Sequence, residues 1–71
     1  MPVPAHRAAF GARVRELRTE RGWSQEGFAH RAELDRTYVS GIERGTRNPT
    51  LDIIYRLAQA LGVPAADLLT R

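Results

Sequence analysis

At 71 residues the chain has room for one domain, residues 1–71, and none for a second, ligand-sensing one. No cofactor or small-molecule ligand is expected. Cysteine is absent and the two histidines, His6 and His30, lie far apart, which excludes a disulfide framework and argues against a structural zinc site. The eleven basic residues are all arginine and face eight acidic ones, a net charge of +3 that suits an anionic partner. No apolar run approaches the ~18 residues of a membrane span, and residues 1–10 carry no signal-peptide core. The expectation is a cytoplasmic protein with no membrane partner.

The periodicity predicts an all-α fold of five helices after a short Pro-containing arm at residues 1–4. The first helix spans about 5–21. Phe10, Val14 and Leu17 make its apolar stripe, and Gly22 stands where a left-handed terminator is wanted. Ser24 is a good N-cap for a second, short helix that turns Phe28, Ala29 and Ala32 inward. Asp35 is an N-cap type for a third helix with Val39 and Ile42 inward, ended by Gly45. Residues 46–49 form a loop. Thr50 caps a fourth helix, ended by Gly62. Its stripe of Leu51, Ile54, Ala58 and Leu61 reads as core, and Ile53, Leu57 and Ala60 form a second apolar face. Pro64 suits the first position of a last helix over 64–69.

Three helices stop at a glycine, whereas the second turns into the third through Glu33 and Leu34 alone. Two short helices joined this tightly have the layout of a DNA-binding helix-turn-helix, here about residues 24–45, followed by two helices at about 50–69. Three runs then carry a resemblance: WSQEGFA at 23–29, LDRTYVSGIERG at 34–45, and RNPTL at 47–51. Together they resemble the phage-repressor-type (XRE) helix-turn-helix family over roughly residues 8–69. The stretch 34–48 is most similar to the controller proteins of restriction-modification systems. The chain departs from the pattern at Glu33, where Gly is usual, at Gly27, and at Val63-Pro64, where a Ser cap is common. A left-handed Glu33 would carry about 1–2 kcal/mol of strain.

Residues Arg36, Thr37, Ser40 and Gly41 lie opposite Val39 and Ile42 on the third helix. By residue type alone this is a solvated face; the resemblance makes it the face that reads bases. Arg36 then suits guanine O6 and N7, Thr37 and Ser40 supply hydroxyls, and Gly41 lets the backbone approach DNA. The resemblance also implies phosphate contacts by Gln25 at the start of the second helix and by Arg44, Arg47 and Asn48 around the end of the third, with Asn48 alternatively a turn former before Pro49. Tyr38 has a hydroxyl for a phosphate and a ring to pack on the domain, and a purely structural role is the alternative. It pairs Arg18 with Glu43 in a partly buried ion pair. The arginines at 7, 13, 15, 21 and 31 read as solvated surface.

The fourth helix is apolar over more of its circumference than one core needs. Ile53, Leu57, Ala60, Val63, Leu68 and Leu69 are therefore expected to form a homodimer interface, as controller proteins do; the alternative is that the last helix folds back and covers the second face. The resulting expectation is a dimeric transcriptional regulator on a pseudo-palindromic double-stranded DNA operator. Its two recognition helices would lie about 34 Å apart. The alternative is an antitoxin-like protein-binding module that also binds DNA. No catalytic set is present, and an enzyme is not expected.

Overall fold

A computed structural model describes residues 2–69. Among these are four α-helices, α1 (Ala5–Glu20), α2 (Gln25–Ala32), α3 (Arg36–Arg44) and α4 (Leu51–Leu61), and a 3-10 helix, Ala65–Leu68. The described residues contain no strand. No helix among them is long and apolar enough to cross a membrane.

Local chemistry sets most of the boundaries. The Ser24 hydroxyl accepts from the Gly27 N–H, and that of Thr50 from the Ile53 N–H. Gly22, Gly45 and Gly62 all take positive φ after the helices they end. Helix α2 instead ends at Glu33, the only non-glycine residue among those described with positive φ (58°). The Leu34 N–H then donates back to the Ala29 carbonyl at 2.8 Å, closing the turn. So the strain considered for Glu33 is present, about 1–2 kcal/mol.

Two expected features differ. The last element is a 3-10 helix rather than a fifth α-helix, and Pro64 precedes it in an extended conformation instead of opening it (ψ 145°). The four-residue segment is held from outside: Arg13 Nε donates to the Asp67 carbonyl at 2.9 Å. Asp35 flanks α3 without a side-chain cap, because its carboxylate bonds the Thr37 hydroxyl and not a backbone N–H.

The core lies where α1 and α2 meet α3 and α4. Phe10, Val14 and Leu17 of α1 pack with Phe28, Ala29 and Ala32 of α2, with Val39 and Ile42 of α3, and with Leu57, Ala58 and Leu61 of α4. Leu68 of the 3-10 helix closes one end. Helix α1 crosses α3 at Gly11, a buried residue that the apolar pattern did not single out. A methyl group there would lie 2.7 Å from the Glu43 carbonyl oxygen and nearer still to that of Ile42. The absent side chain is what lets the two backbones meet.

Three arginines read as solvated surface hold the frame together. Arg21 Nε donates to the Leu61 carbonyl at 3.0 Å, satisfying one of the orphan acceptors at the end of α4 and adding charge of the favourable sign. Arg13 holds the 3-10 helix. Arg31 stacks over the Trp23 ring at 4.2 Å, and Trp23 in turn stacks on Phe28.

Candidate nucleic-acid interface

Helix α3 buries Val39 and Ile42 and turns Arg36, Thr37 and Arg44 to solvent, with Ser40 half-buried between them. Its exposed row therefore consists of two cations and two hydroxyls. Both hydroxyls are engaged. Thr37 Oγ1 donates to Asp35 Oδ2, and Ser40 Oγ accepts from Arg44 Nη1.

The loop after α3 carries the next group. Gly41 is buried, and the space a side chain would fill there is occupied by Arg47 and Thr46. A methyl group would lie 2.7 Å from Arg47 Cγ and 3.3 Å from Thr46 Oγ1. This corrects the expectation that Gly41 opens the helix backbone to DNA. Its role is to admit the stem of Arg47, whose guanidinium then stands 5.2 Å from the centre of the Tyr38 ring. The head of Arg47 remains exposed, as do Arg44 and Asn48, and Tyr38 is half-buried beneath. Thr46 turns the chain back with its N–H and its hydroxyl both on the Gly41 carbonyl.

On the other side stands Gln25, half-buried at the N-terminus of α2, where unpaired backbone N–H groups favour an anion. It does not hang free. Gln25 Nε2 donates to Glu43 Oε1 at 3.0 Å. Glu43 also receives the Arg18 fork, with Nε to Oε2 at 2.6 Å and Nη2 to Oε1 at 3.0 Å. Arg18 Nη1 donates to the Trp23 carbonyl at 2.7 Å. The Glu43 side chain is 2% exposed and that of Arg18 10%. A bidentate pair with its remaining atoms satisfied is the form in which buried charge is tolerated. Indeed every buried side-chain nitrogen and oxygen among the described residues has a hydrogen-bond partner. The network spans α1, α2 and α3, so it sets the start of α2 against the end of α3.

The expected dimer residues are dispersed. Leu57 and Leu68 are 0% and 1% exposed and sit in the chain's own core, so they have no surface left for a partner. Ile53, Ala60 and Val63 are half-buried against that core. Of the six, only Leu69 is well exposed. Leu51, read as core, stands 66% exposed instead, and Tyr55, one turn on, 58%. Ala58 and Leu61 are nevertheless buried as expected, and Leu57 of the second face joins them. The core thus meets the seam between the two apolar faces of α4, where the helix packs on α2 and on the 3-10 helix, and its first turn stands clear.

Sequence reasoning from residue types missed Gly11, the Gln25–Glu43 bond and the Asp35–Thr37 bond. The last had a signal, an acidic residue two positions before a threonine at a helix start.

Comparison with known proteins gives a consistent result. A family model described as helix-turn-helix matches residues 14–68. The control protein C.BamHI of Bacillus amyloliquefaciens is 50% identical over 64 residues, covering 89% of this chain and 79% of that protein. The crystal structure of the restriction-modification controller protein C.AhdI from Aeromonas hydrophila superposes with a TM-score of 0.89 at 49% identity, covering 92% of this chain and 98% of that one. The restriction-modification controller protein C.Esp1396I, crystallised as a tetramer with its natural 35 base-pair operator, superposes with a TM-score of 0.84 at 32% identity over 92% of this chain and 86% of its own. The chain belongs to the XRE-type helix-turn-helix family, with controller proteins of restriction-modification systems among its relatives.

Proposed function

We propose that this protein is a transcriptional regulator that binds double-stranded DNA sequence-specifically as a homodimer and acts as the controller of a restriction-modification system. The whole chain, residues 1–71, serves as one DNA-binding domain. The observation that carries the reading is the exposed row of α3, with Arg36, Thr37, Ser40 and Arg44 between Arg47 on one side and Gln25 on the other. Arg36, Thr37 and Ser40 contact base edges in the major groove. Gln25, Tyr38, Arg44, Arg47 and Asn48 contact phosphates, which orient the domain without specifying sequence. The likeness to a controller bound to its operator supports the same docking.

Dimerisation uses the outer side of α4. Leu51, Tyr55 and Leu69 are large apolar residues mostly left in water, and Leu69 also lines an open cleft with Phe10, Ile54 and Leu68 on one part and His6, Arg7, Asn48 and Pro49 on the other. A twofold axis through this face brings two α3 helices to successive major grooves, about 34 Å apart, on a pseudo-palindromic operator.

The test is selection of bound sites from a random duplex pool, with sizing of the complex and titration in salt. An inverted repeat carrying two subunits, with affinity falling steeply as salt rises, is the expected result. Binding without an enriched motif would refute sequence-specific regulation. Absence of binding at low salt by a folded protein would refute the DNA-binding role.

A further inference from the structure

The two hydroxyls on α3 are engaged differently, and only one of them keeps its hydrogen. An ionised carboxylate has no hydrogen to give, so in the contact between Thr37 Oγ1 and Asp35 Oδ2 the threonine supplies the proton. That uses the only hydrogen the hydroxyl has. What Thr37 offers to a ligand is therefore lone pairs. Ser40 differs. Arg44 Nη1 is a donor only, so Ser40 Oγ accepts from it and its own hydrogen stays free. These assignments follow from the chemistry of the partners and need no observed hydrogens.

In the major groove the difference has a direct reading. Adenine N6 and cytosine N4 are donors, whereas guanine N7 and O6, adenine N7 and thymine O4 are acceptors. An acceptor-only hydroxyl bonds the amines and is opposed by the keto oxygens. On the proposal that α3 reads base edges, which this inference rests on and refines, the geometry points to Asp35 as a specificity-determining residue. It sets Thr37 to select the exocyclic amine of adenine or cytosine, while Ser40 donates to a base acceptor or a phosphate. Asp35 acts through Thr37. Because it makes no side-chain bond to the helix backbone, its carboxylate is free for this task. Both residues are exposed at the N-terminal end of α3, the end that meets base edges in helix-turn-helix proteins.

The experiment uses the full chain and three forms of it: the native protein, Thr37→Val and Asp35→Gly. Valine keeps the shape of threonine without the hydroxyl. Glycine is well tolerated at the residue before a helix, Asp35 makes no cap bond to lose, and circular dichroism checks that α3 persists. Site selection with the native protein and Thr37→Val identifies the base pair whose preference depends on Thr37. Duplexes are then made with that pair's amine deleted (purine for adenine, 2-pyrimidinone for cytosine), with its keto oxygen deleted, or with the pair reversed. For the native protein, amine deletion is expected to weaken binding about 3- to 10-fold, and keto deletion less than about 2-fold. Asp35→Gly frees the Thr37 hydrogen, so the reversed pair is accepted within about 2-fold of the original. Loss on keto deletion instead of amine deletion overturns the assignment. So does sensitivity only to the thymine methyl group, an Asp35→Gly protein with the native preference, or a Thr37→Val protein that selects the native site unchanged. If the native protein enriches no motif at all, the base-reading function itself fails, and the assignment falls with it.

Discussion

The α1–α3 crossing and the outer side of α4 solve opposite problems. At the crossing everything is closed. Gly11 brings two backbones together, and Arg18, Glu43, Gln25 and Trp23 satisfy one another beneath the surface. On α4, Leu51 and Tyr55 stand mostly exposed, 66% and 58%. Both regions contain residues that a sequence pattern marks as significant. Only the first has its interactions completed within one chain. A protein this small holds the α3 frame by internal pairing, and on the proposed reading its exposed apolar residues on α4 are what a second copy covers.

Mutations separate the two. The largest effect is expected for Glu43→Ala, which strands Arg18 in a buried position. Its stability should fall by about 3–5 kcal/mol, read as a collapse of the thermal midpoint, with urea unfolding as the second measure. Gly11→Ala comes next. The added methyl meets backbone oxygens that cannot rotate away, so a loss of about 1–3 kcal/mol is expected despite the better helix propensity of alanine. A stability equal to native in either variant would mean that the crossing is looser than described.

The open region should respond in another currency. Leu51→Ser is expected to weaken self-association about tenfold, roughly 1.4 kcal/mol, by sedimentation equilibrium. Thermal stability under monomeric conditions should stay within about 0.5 kcal/mol, because Leu51 is mostly exposed in the single chain. Unchanged association would remove this face as the dimer contact. The smallest effect is a gain. Glu33→Gly relieves the left-handed strain at the helix-turn-helix corner and should raise stability by about 1 kcal/mol, net of the greater freedom of glycine in the unfolded chain. A lower midpoint would contradict the strain at that corner.

What was legible beforehand has a common character. The caps at Ser24 and Thr50, the stops at Gly22, Gly45 and Gly62 and the stripe of Phe10, Val14 and Leu17 all depend on neighbours within a turn or two. The exposed row of α3 was legible too, since burying Val39 and Ile42 turns positions 36, 37 and 40 outward by helical geometry. The Arg18–Glu43 pairing came from resemblance, because no local rule joins residues 25 positions apart.

The elements that escaped are those decided at a distance. Arg13, Arg21 and Arg31 looked like ordinary surface because the carbonyls of Asp67 and Leu61 and the ring of Trp23 come near only after folding. Gly41 looked like an opening because the loop that brings Arg47 over it has no periodicity to read.

The amino-acid sequence by itself determined the four α-helices, the tight turn between α2 and α3, the basic and hydroxyl-bearing face of α3 and membership of a DNA-binding family. Each of these rests on interactions within a few residues or on a pattern carried whole along the chain. Tertiary structure alone decided how much of each apolar face of α4 is buried, what fills the space at Gly41, and that α1 touches α3 through a glycine. The reason is rotational: an amphipathic pattern says that a helix has an inner face, but where two faces are apolar only packing against the other helices decides which residues of each are covered.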